Sequence, residues 1–328
     1  MSKRFDLSLL STYRRELMGF SAIGILMCHA YGNNVHLDTP FYQILSLGSL
    51  GTPMFFLLSG LGIYYSLNKN KETTFRWIIN RLIKLFVPYS VVILPFFIYD
   101  AIIRDLSVVD FLLRFSTIGY WMGKGGAWFV AFLVPLYLVS PLWHKIMSKT
   151  HYKLLFTLLI IVFMIVLGHL IPSYSVAIHK GMFFFVGYYL ATYTMISNKY
   201  RISYFWIYVV SGILIIASRV FPSLFYLPWF WPLLFPCMTM VCDICKIPWL
   251  HPLKNIQSFM GGICYESYLT NVSLPAVIPA FSLFVGNVDI AGGGYLRYLL
   301  IVVTGILLSY YLNKVNKHLL SLIFITSK

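Results

Sequence analysis

The sequence has few charged side chains. Of its 328 residues, 11% are Asp, Glu, Lys or Arg, whereas an average soluble domain has about 25%. So few charges cannot cover the surface of a water-soluble globule of this length. Hydrophobic residues make up 59% of the chain, and apolar runs of about 18 or more residues recur throughout. The pattern predicts an all-α, polytopic integral membrane bundle, with residues 1–328 forming one transmembrane domain.

Cysteine is also scarce, and the five cysteines all fall in or beside apolar runs. This placement argues against a disulfide framework. Cys242 and Cys245 form a lone CxxC with no second pair and no nearby histidine cluster. We interpret them as small core residues rather than a zinc site, and the sequence predicts no metal.

Ten apolar segments are long enough to be membrane spans on the criterion of about 20 residues. They cover residues 17–31, 48–67, 86–103, 127–147, 154–172, 181–197, 203–220, 224–243, 257–280 and 295–313.

Acidic residues are rare, and the formal net charge is +15. The basic residues cluster in alternate loops, a distribution that indicates membrane orientation rather than nucleic-acid binding. With the N-terminus inside, most Lys and Arg fall on the inner side. The outer ones are Arg104, Arg114, Lys124, Lys180, Arg219 and Arg297. Both termini are therefore predicted to be cytoplasmic.

Residues 69–87 differ from the spans because basic and apolar residues alternate at helical spacing. The pattern predicts an amphipathic helix on the inner face. Its basic side chains include Arg76, Arg81 and Lys84. Two interpretations remain open: an anchor for lipid headgroups, or a cationic cradle for a phosphorylated cytosolic ligand.

His29 lies in the outer half of the first predicted span. An ionisable group inside a membrane costs at least a few kcal/mol and usually has a functional role. The alternative is a neutral histidine that is hydrogen-bonded in the core.

Four motifs in order resemble acyltransferase family 3. A glycine-led, Phe-rich span is followed by a basic segment, then Pro and Tyr. A Trp-Phe-rich span comes next, and "MGGICYESYLTN" is similar to the family's Ser-Tyr-x-x-Tyr-Leu-x-His block. The residues that carry the resemblance are Gly51, Phe55, Phe56, Ser59, Gly60, Arg81, Lys84, Pro88, Tyr89, Trp128, Phe129, Tyr137 and Pro141.

The resemblance implies transfer of an acyl group, usually acetyl, from acetyl-CoA to a hydroxyl of a cell-surface or lipid-linked polysaccharide. It also implies a multi-pass protein of the bacterial inner or plasma membrane. Succinyl or another short acyl group stays open. The family's Arg-x10-His histidine aligns with His29, which is a suitable general base for a sugar hydroxyl.

This chain departs from the family at two positions. Met18 stands where the family has arginine, and Asn271 where the ninth span has histidine. Arg15 lies one turn below Met18, and we expect it to substitute for the missing arginine. Alternatively, Arg14 and Arg15 only set the orientation of the span.

Further roles follow from the resemblance. Arg76, Arg81 and Lys84 are expected to bind the CoA phosphates. Asn271 is expected to contact substrate. Ser59, Glu266 and Tyr268 are expected to be structural polar groups, with a role for Glu266 in steering His29 as a second possibility.

The acceptor sugar has four candidate ligands on the outer side. His36 and Asp38 either hold the sugar or belong to a solvated loop. Trp121 and Trp128 either stack on sugar rings or belong to the interfacial aromatic belt.

Two other functions remain open. A transporter that exports a glycan or lipid-linked sugar also buries ionisable groups, but transporters tend to show inverted repeats and paired broken helices. No clear pairing of that kind is present. A non-catalytic membrane partner would not need His29.

Overall fold

The computed structural model describes residues 4–32, 44–70, 72–196, 200–221, 230–285 and 295–325. The fold is all-α, as predicted, and the described residues are 87% helical. His36 and Asp38 lie outside the described residues.

The helices of the described residues are labelled α1–α14 in chain order. They are α1 (Leu9–Thr12), α2 (Arg14–Gly32), α3 (Gly51–Asn68), α4 (Thr74–Ile103), α5 (Val108–Phe115), α6 (Ile118–Trp121), α7 (Trp128–Lys149), α8 (Lys153–Leu170), α9 (Ser175–Ile196), α10 (Tyr204–Val220), α11 (Leu234–Ile244), α12 (His251–Gly262), α13 (Cys264–Val285) and α14 (Tyr295–Ile325). Two short strands, β1 (Arg4–Asp6) and β2 (Arg201–Ser203), pair antiparallel with Phe5 opposite Ile202.

Five helices of the described residues are long and apolar enough to cross a membrane, and a bent pair makes a sixth candidate. They are Ile44–Asn68, Thr74–Ile103, Trp128–Lys149, Lys153–Leu170 and Tyr298–Phe324. The protein is therefore an integral membrane protein. A total of ten spans and two cytoplasmic termini remain predictions.

Two of the predicted span boundaries differ from the structure. The amphipathic segment 69–87 and the span 86–103 form one helix, α4, which continues through Pro88 and Pro95. Membrane helices tolerate proline because neighbouring groups can satisfy the freed carbonyls. The predicted span 257–280 is instead broken at Ile263, between α12 and α13. The bent pair Trp231–Ile244 and Pro248–Gly262 turns by 102°.

The chain divides into two compact units. The first contains residues 1–25, 47–71 and 140–262, and the second contains residues 26–46, 72–139 and 263–328.

Glycines set the helix packing in the first unit. A Cβ on Gly60 of α3 would lie 1.8 Å from the Phe184 carbonyl oxygen of α9, and a Cβ on Gly187 would lie 1.8 Å from the Leu57 oxygen. Small residues let membrane helices approach this closely, so that dispersion contacts replace the missing hydrophobic driving force. The two glycines therefore make the α3–α9 crossing possible.

The core of the second unit is formed by α4, α13 and α14. The Tyr265 hydroxyl on α13 donates to the Leu85 carbonyl on α4 at 3.0 Å. On the opposite side, the hydroxyls of Thr270 and Ser309 are 3.0 Å apart. Helix α13 is therefore held by polar contacts to both neighbours.

The glycine crossing can be tested by substitution. Gly60→Ala forces a methyl group into the α9 backbone, and we expect it to lower the melting temperature in detergent by several degrees. Gly212→Ala is the matched control, since nothing lies within 4 Å of a Cβ there and alanine favours an exposed helix by about 1 kcal/mol. Equal melting temperatures for the two variants would contradict the packing argument.

Candidate functional site

His29 forms a hydrogen bond with Asn271 in the second unit. The Nδ1 atom of His29, in the last turn of α2, lies 2.5 Å from the Asn271 Oδ1 atom on α13. Asn271 is 3% exposed. An amide oxygen only accepts hydrogen bonds, so the His29 Nδ1 must carry the proton and donate it.

Tyr298 of α14 binds the same end of α2, because its hydroxyl donates to the Leu26 carbonyl. The Asn271 Nδ2 atom has no hydrogen-bond partner among the described residues. The two hydrogen bonds, from Tyr298 to Leu26 and from His29 to Asn271, form a network that holds the end of α2.

The network assigns the tautomer of the imidazole. With Nδ1 protonated and donating, Nε2 is the basic nitrogen of neutral His29. A hydrogen bond at one ring nitrogen commonly holds a histidine in one tautomer. The other nitrogen is then the base that takes part in proton transfer.

Arg15 belongs to the first unit. It is exposed at the start of α2, and its Nε atom donates to the Ser258 carbonyl at 2.8 Å. Its guanidinium fits against Gly262, where a Cβ would lie 2.6 Å from a terminal nitrogen. Its proposed role toward the donor stays a prediction.

The three basic residues of α4 each contact a different partner. Arg76 pairs with Glu72, with Nε and Oε1 3.6 Å apart. Arg81 and Lys84 are three residues apart on one face of the helix. Arg81 lies over the Trp77 ring and Lys84 over the Phe324 ring, at 5.4 and 5.0 Å from the ring centroids.

A row of polar residues connects this basic end to His29. Helices α4 and α13 run parallel, because Leu85 contacts Tyr265 and, further along both helices, Tyr89 interacts with Tyr268. Asn271 follows Tyr268 by one turn on α13. The order along the second unit is thus Arg81 and Lys84, then Tyr265, then Tyr89 and Tyr268, and finally Asn271 with His29.

The two candidate sugar-binding tryptophans flank the loop before α7. Trp121 is 38% exposed and packs on Phe132 with ring centroids 5.9 Å apart. Trp128 begins α7 and contacts Phe129 edge to face. Within this region Lys124 pairs with Asp110 at 2.6 Å. Hydrogen bonds from Lys124 and Ser107 lower the pKa of Asp110.

Glu266 is a buried carboxylate, only 4% exposed. It accepts hydrogen bonds from the Nδ2 atoms of Asn313 and Asn316 on α14, at 3.1 and 2.9 Å. Glu266 thus joins α13 to α14, which fits the structural role expected of it. Tyr268 is buried and packs edge to face on Phe129. Ser59 is half-buried beside the α3–α9 crossing.

No disulfide forms among the described residues, and Cys242 and Cys245 are buried. The Cys245 thiol lies 3.7 Å from the Gln257 Oε1 atom. In the part of the chain that the structure describes, no three His, Cys, Asp or Glu side chains form a metal-binding group.

The sequence did not predict two features of the site. One is the hydrogen bond between Asn271 and His29, whereas contact of Asn271 with substrate stays a prediction. The only signal was its place where the family has histidine. Tyr298 was not predicted at all, because a tyrosine in an apolar helix does not stand out from the aromatic belt residues.

The fold and this site together define an integral membrane protein with a half-buried, hydrogen-bonded histidine. A family model described as an acyltransferase domain, that of acyltransferase family 3, matches residues 17–314. The chain belongs to this family and is an acyltransferase. Comparisons with curated proteins and with solved structures return no match.

Glu266 provides a test of how α13 is held. Glu266→Met leaves two buried amides without an acceptor, at a cost of about 1–3 kcal/mol for each buried group left unsatisfied. Glu266→Gln should be much milder, because Asn316, whose Oδ1 has no partner, can rotate to accept from the new amide. We expect melting temperatures in the order wild type, Gln, Met. A Gln variant as unstable as the Met variant would show instead that the negative charge is essential.

Proposed function

We propose that this acyltransferase transfers a short acyl group, such as acetyl, from acyl-CoA to a hydroxyl of a cell-surface or lipid-linked polysaccharide. The observation that carries the proposal is the hydrogen bond from His29 Nδ1 to Asn271 Oδ1. It leaves Nε2 as a base inside an apolar helical protein. A sugar hydroxyl is a weak nucleophile at neutral pH and needs such a base.

The reaction requires one base and no covalent enzyme intermediate. Nε2 of His29 takes the proton of the sugar hydroxyl while the hydroxyl oxygen attacks the thioester carbon. The resulting tetrahedral intermediate collapses, and the carbon–sulfur bond breaks. The departing thiolate takes the proton back from the imidazolium, giving the sugar ester, free CoA and neutral His29.

The order of polar residues along α4 and α13 supports a donor that lies lengthwise in the second unit. The CoA phosphates bind at Arg81 and Lys84, with Arg76 near the same helix end. The pantetheine arm then passes the tyrosines toward His29. This arrangement agrees with a cytoplasmic basic end, in a bacterial inner membrane, where acetyl-CoA is available.

The acceptor approaches from the opposite end of the site. Trp121 and Trp128 offer flat apolar faces for sugar rings, and Trp128 lies one residue before Phe129, which contacts Tyr268. His36 and Asp38 follow α2 in sequence and are kept as candidate ligands for the sugar. Membrane lipids surround the protein, and a lipid-linked acceptor would reach the site through them.

Replacement of the base tests the proposal. We expect His29→Ala, expressed in a deletion strain, to abolish alkali-labile O-acyl esters on surface glycans. A positioned general base contributes about 10²–10⁴-fold, so transfer of radiolabelled acetyl from acetyl-CoA in membrane vesicles should fall by that factor. His318→Ala, at an exposed histidine, is the matched control. Unchanged ester content in the His29 variant would refute the proposal, and uptake of glycan without acyl-CoA would favour a transporter.

Replacement of Asn271 tests the tautomer assignment. Asn271→Leu removes the acceptor for Nδ1, so we expect a large loss of transfer rate with normal protein levels. Asn271→Asp keeps an acceptor oxygen and adds a charge that stabilises the imidazolium. The Asp variant should retain activity, and the acid limb of its pH–rate profile should move to higher pH. A Leu variant with wild-type rate would exclude a positioning role.

A further inference from the structure

Two buried tyrosine hydroxyls in the second unit have unused protons. Tyr89 on α4 is 0% exposed and Tyr268 on α13 is 9% exposed. Neither hydroxyl donates a hydrogen bond to an acceptor among the described residues. A buried polar group left in this state costs about 1–3 kcal/mol. Such a cost is expected at a binding site, where a substrate supplies the missing hydrogen-bond acceptor.

The two hydroxyls belong to one local site. Tyr268 lies one turn beyond Tyr265 on α13, and Tyr89 lies one turn beyond Leu85 on α4, where Tyr265 donates to the Leu85 carbonyl. The Tyr268 ring also packs on Phe129, in the first turn of α7. The N-terminal end of a helix carries partial positive charge, which favours a negative charge that develops nearby.

Aromatic rings surround these hydroxyls. Tyr89 packs against Phe86 and Phe115, with ring centroids 6.0 and 5.6 Å away. Tyr268 packs against Phe129 at 5.2 Å. Hydrogen bonds and charges act more strongly in such an apolar environment than in water.

The pair is next to the proposed base. Tyr268 precedes Asn271 by three residues on α13, so the two lie on one helix face with about 4.5 Å of rise between them. Asn271 in turn holds His29. In the other direction, Tyr265 already donates to the Leu85 carbonyl. The donors without acceptors are thus the ones closest to His29.

We infer that Tyr268 and Tyr89 bind the carbonyl oxygen of the acyl thioester and stabilise the negative charge that it acquires during transfer. The inference rests on the proposed function. A thioester oxygen only accepts hydrogen bonds and has two lone pairs, which matches two donors that lack acceptors. When the sugar oxygen attacks, the carbonyl electron pair moves onto this oxygen, and it returns as the carbon–sulfur bond breaks. The tyrosines keep their protons throughout.

The closing experiment compares Tyr268→Phe and Tyr89→Phe with Tyr311→Phe, at a tyrosine of α14 that is 62% exposed. Transfer of radiolabelled acetyl to endogenous glycans is measured in membrane vesicles over a range of acetyl-CoA concentrations. Loss of one donor to a developing oxyanion reduces kcat by about 10²–10³-fold. We expect a loss of that order in maximal rate for Tyr268→Phe and Tyr89→Phe, with little change in KM for acetyl-CoA. Tyr311→Phe should stay near wild type.

Two non-transferable donor analogues separate oxyanion binding from a structural effect. Acetonyl-CoA keeps the carbonyl group as a ketone, and S-propyl-CoA lacks it. Tyr268→Phe should weaken inhibition by acetonyl-CoA several-fold and leave inhibition by S-propyl-CoA unchanged. If Tyr268→Phe fails to accumulate, the same ratio measured on Tyr89→Phe decides the question.

The outcomes distinguish the two proposals. An active wild type with normal rates in both Phe variants overturns the inference and leaves the proposed function intact. Equal weakening of both analogues also overturns it, because the defect would then be structural. A wild type that transfers no acetyl from acetyl-CoA overturns the proposed function itself.

Discussion

A polar group in the hydrocarbon core of a membrane must find its hydrogen-bond partner inside the protein, because no water is available there. In this acyltransferase the constraint is met mainly along α13. Asn271 bonds His29 of α2, and Glu266 bonds two asparagines of α14. Thr270 pairs with Ser309. Removing α13 from this arrangement would leave unpaired polar groups on both of its neighbours, so the same bonds that fix the helix also fix the site.

The exchange of the family's histidine for Asn271 has a chemical consequence. A second imidazole at this position would titrate in the same pH range as His29 and compete with it for a proton. The amide of asparagine does not titrate, and it accepts from Nδ1 with one defined atom. In the proposed reaction, Nε2 of His29 is therefore the one basic nitrogen of the pair, and Asn271 serves to hold the ring.

The sequence was sufficient to predict the features that depend on composition and on the order of motifs along the chain. The apolar runs predicted an all-α membrane protein, and the four motifs identified the family; both are confirmed. The positions at which helices continue or break were harder to predict from the sequence. Pro88 and Pro95 suggest a boundary in α4, yet tertiary contacts keep the helix continuous. The break at Ile263 follows two glycines, a pattern that also occurs at tight helix crossings such as Gly60 against Phe184.

The sequence predicted single residues of the site but not the contacts between them. His29 stands out because an ionisable group in an apolar run is rare. Its partner could not be found from spacing, since Asn271 is 242 residues away, and contacts of that range depend on packing. Tyr298 was hidden for a different reason, because the chain has 24 tyrosines and nothing in the sequence distinguishes this one. Tyr89 was named only as part of a family motif. Its burial without an acceptor among the described residues, which it shares with Tyr268, becomes evident in the structure.

The position of the positive charges bears on how the reaction is stabilised. The resemblance to the family places an arginine one turn above Arg15, where this chain has the uncharged Met18. The Nε atoms of Arg14 and Arg15 donate to the carbonyls of Leu58 and Ser258, so both guanidinium groups bind other helices of the first unit. For the proposed transfer, the hydroxyls of Tyr89 and Tyr268 donate to no acceptor among the described residues. These neutral donors are therefore suited to stabilise the developing charge, because hydrogen bonds act more strongly in an apolar environment.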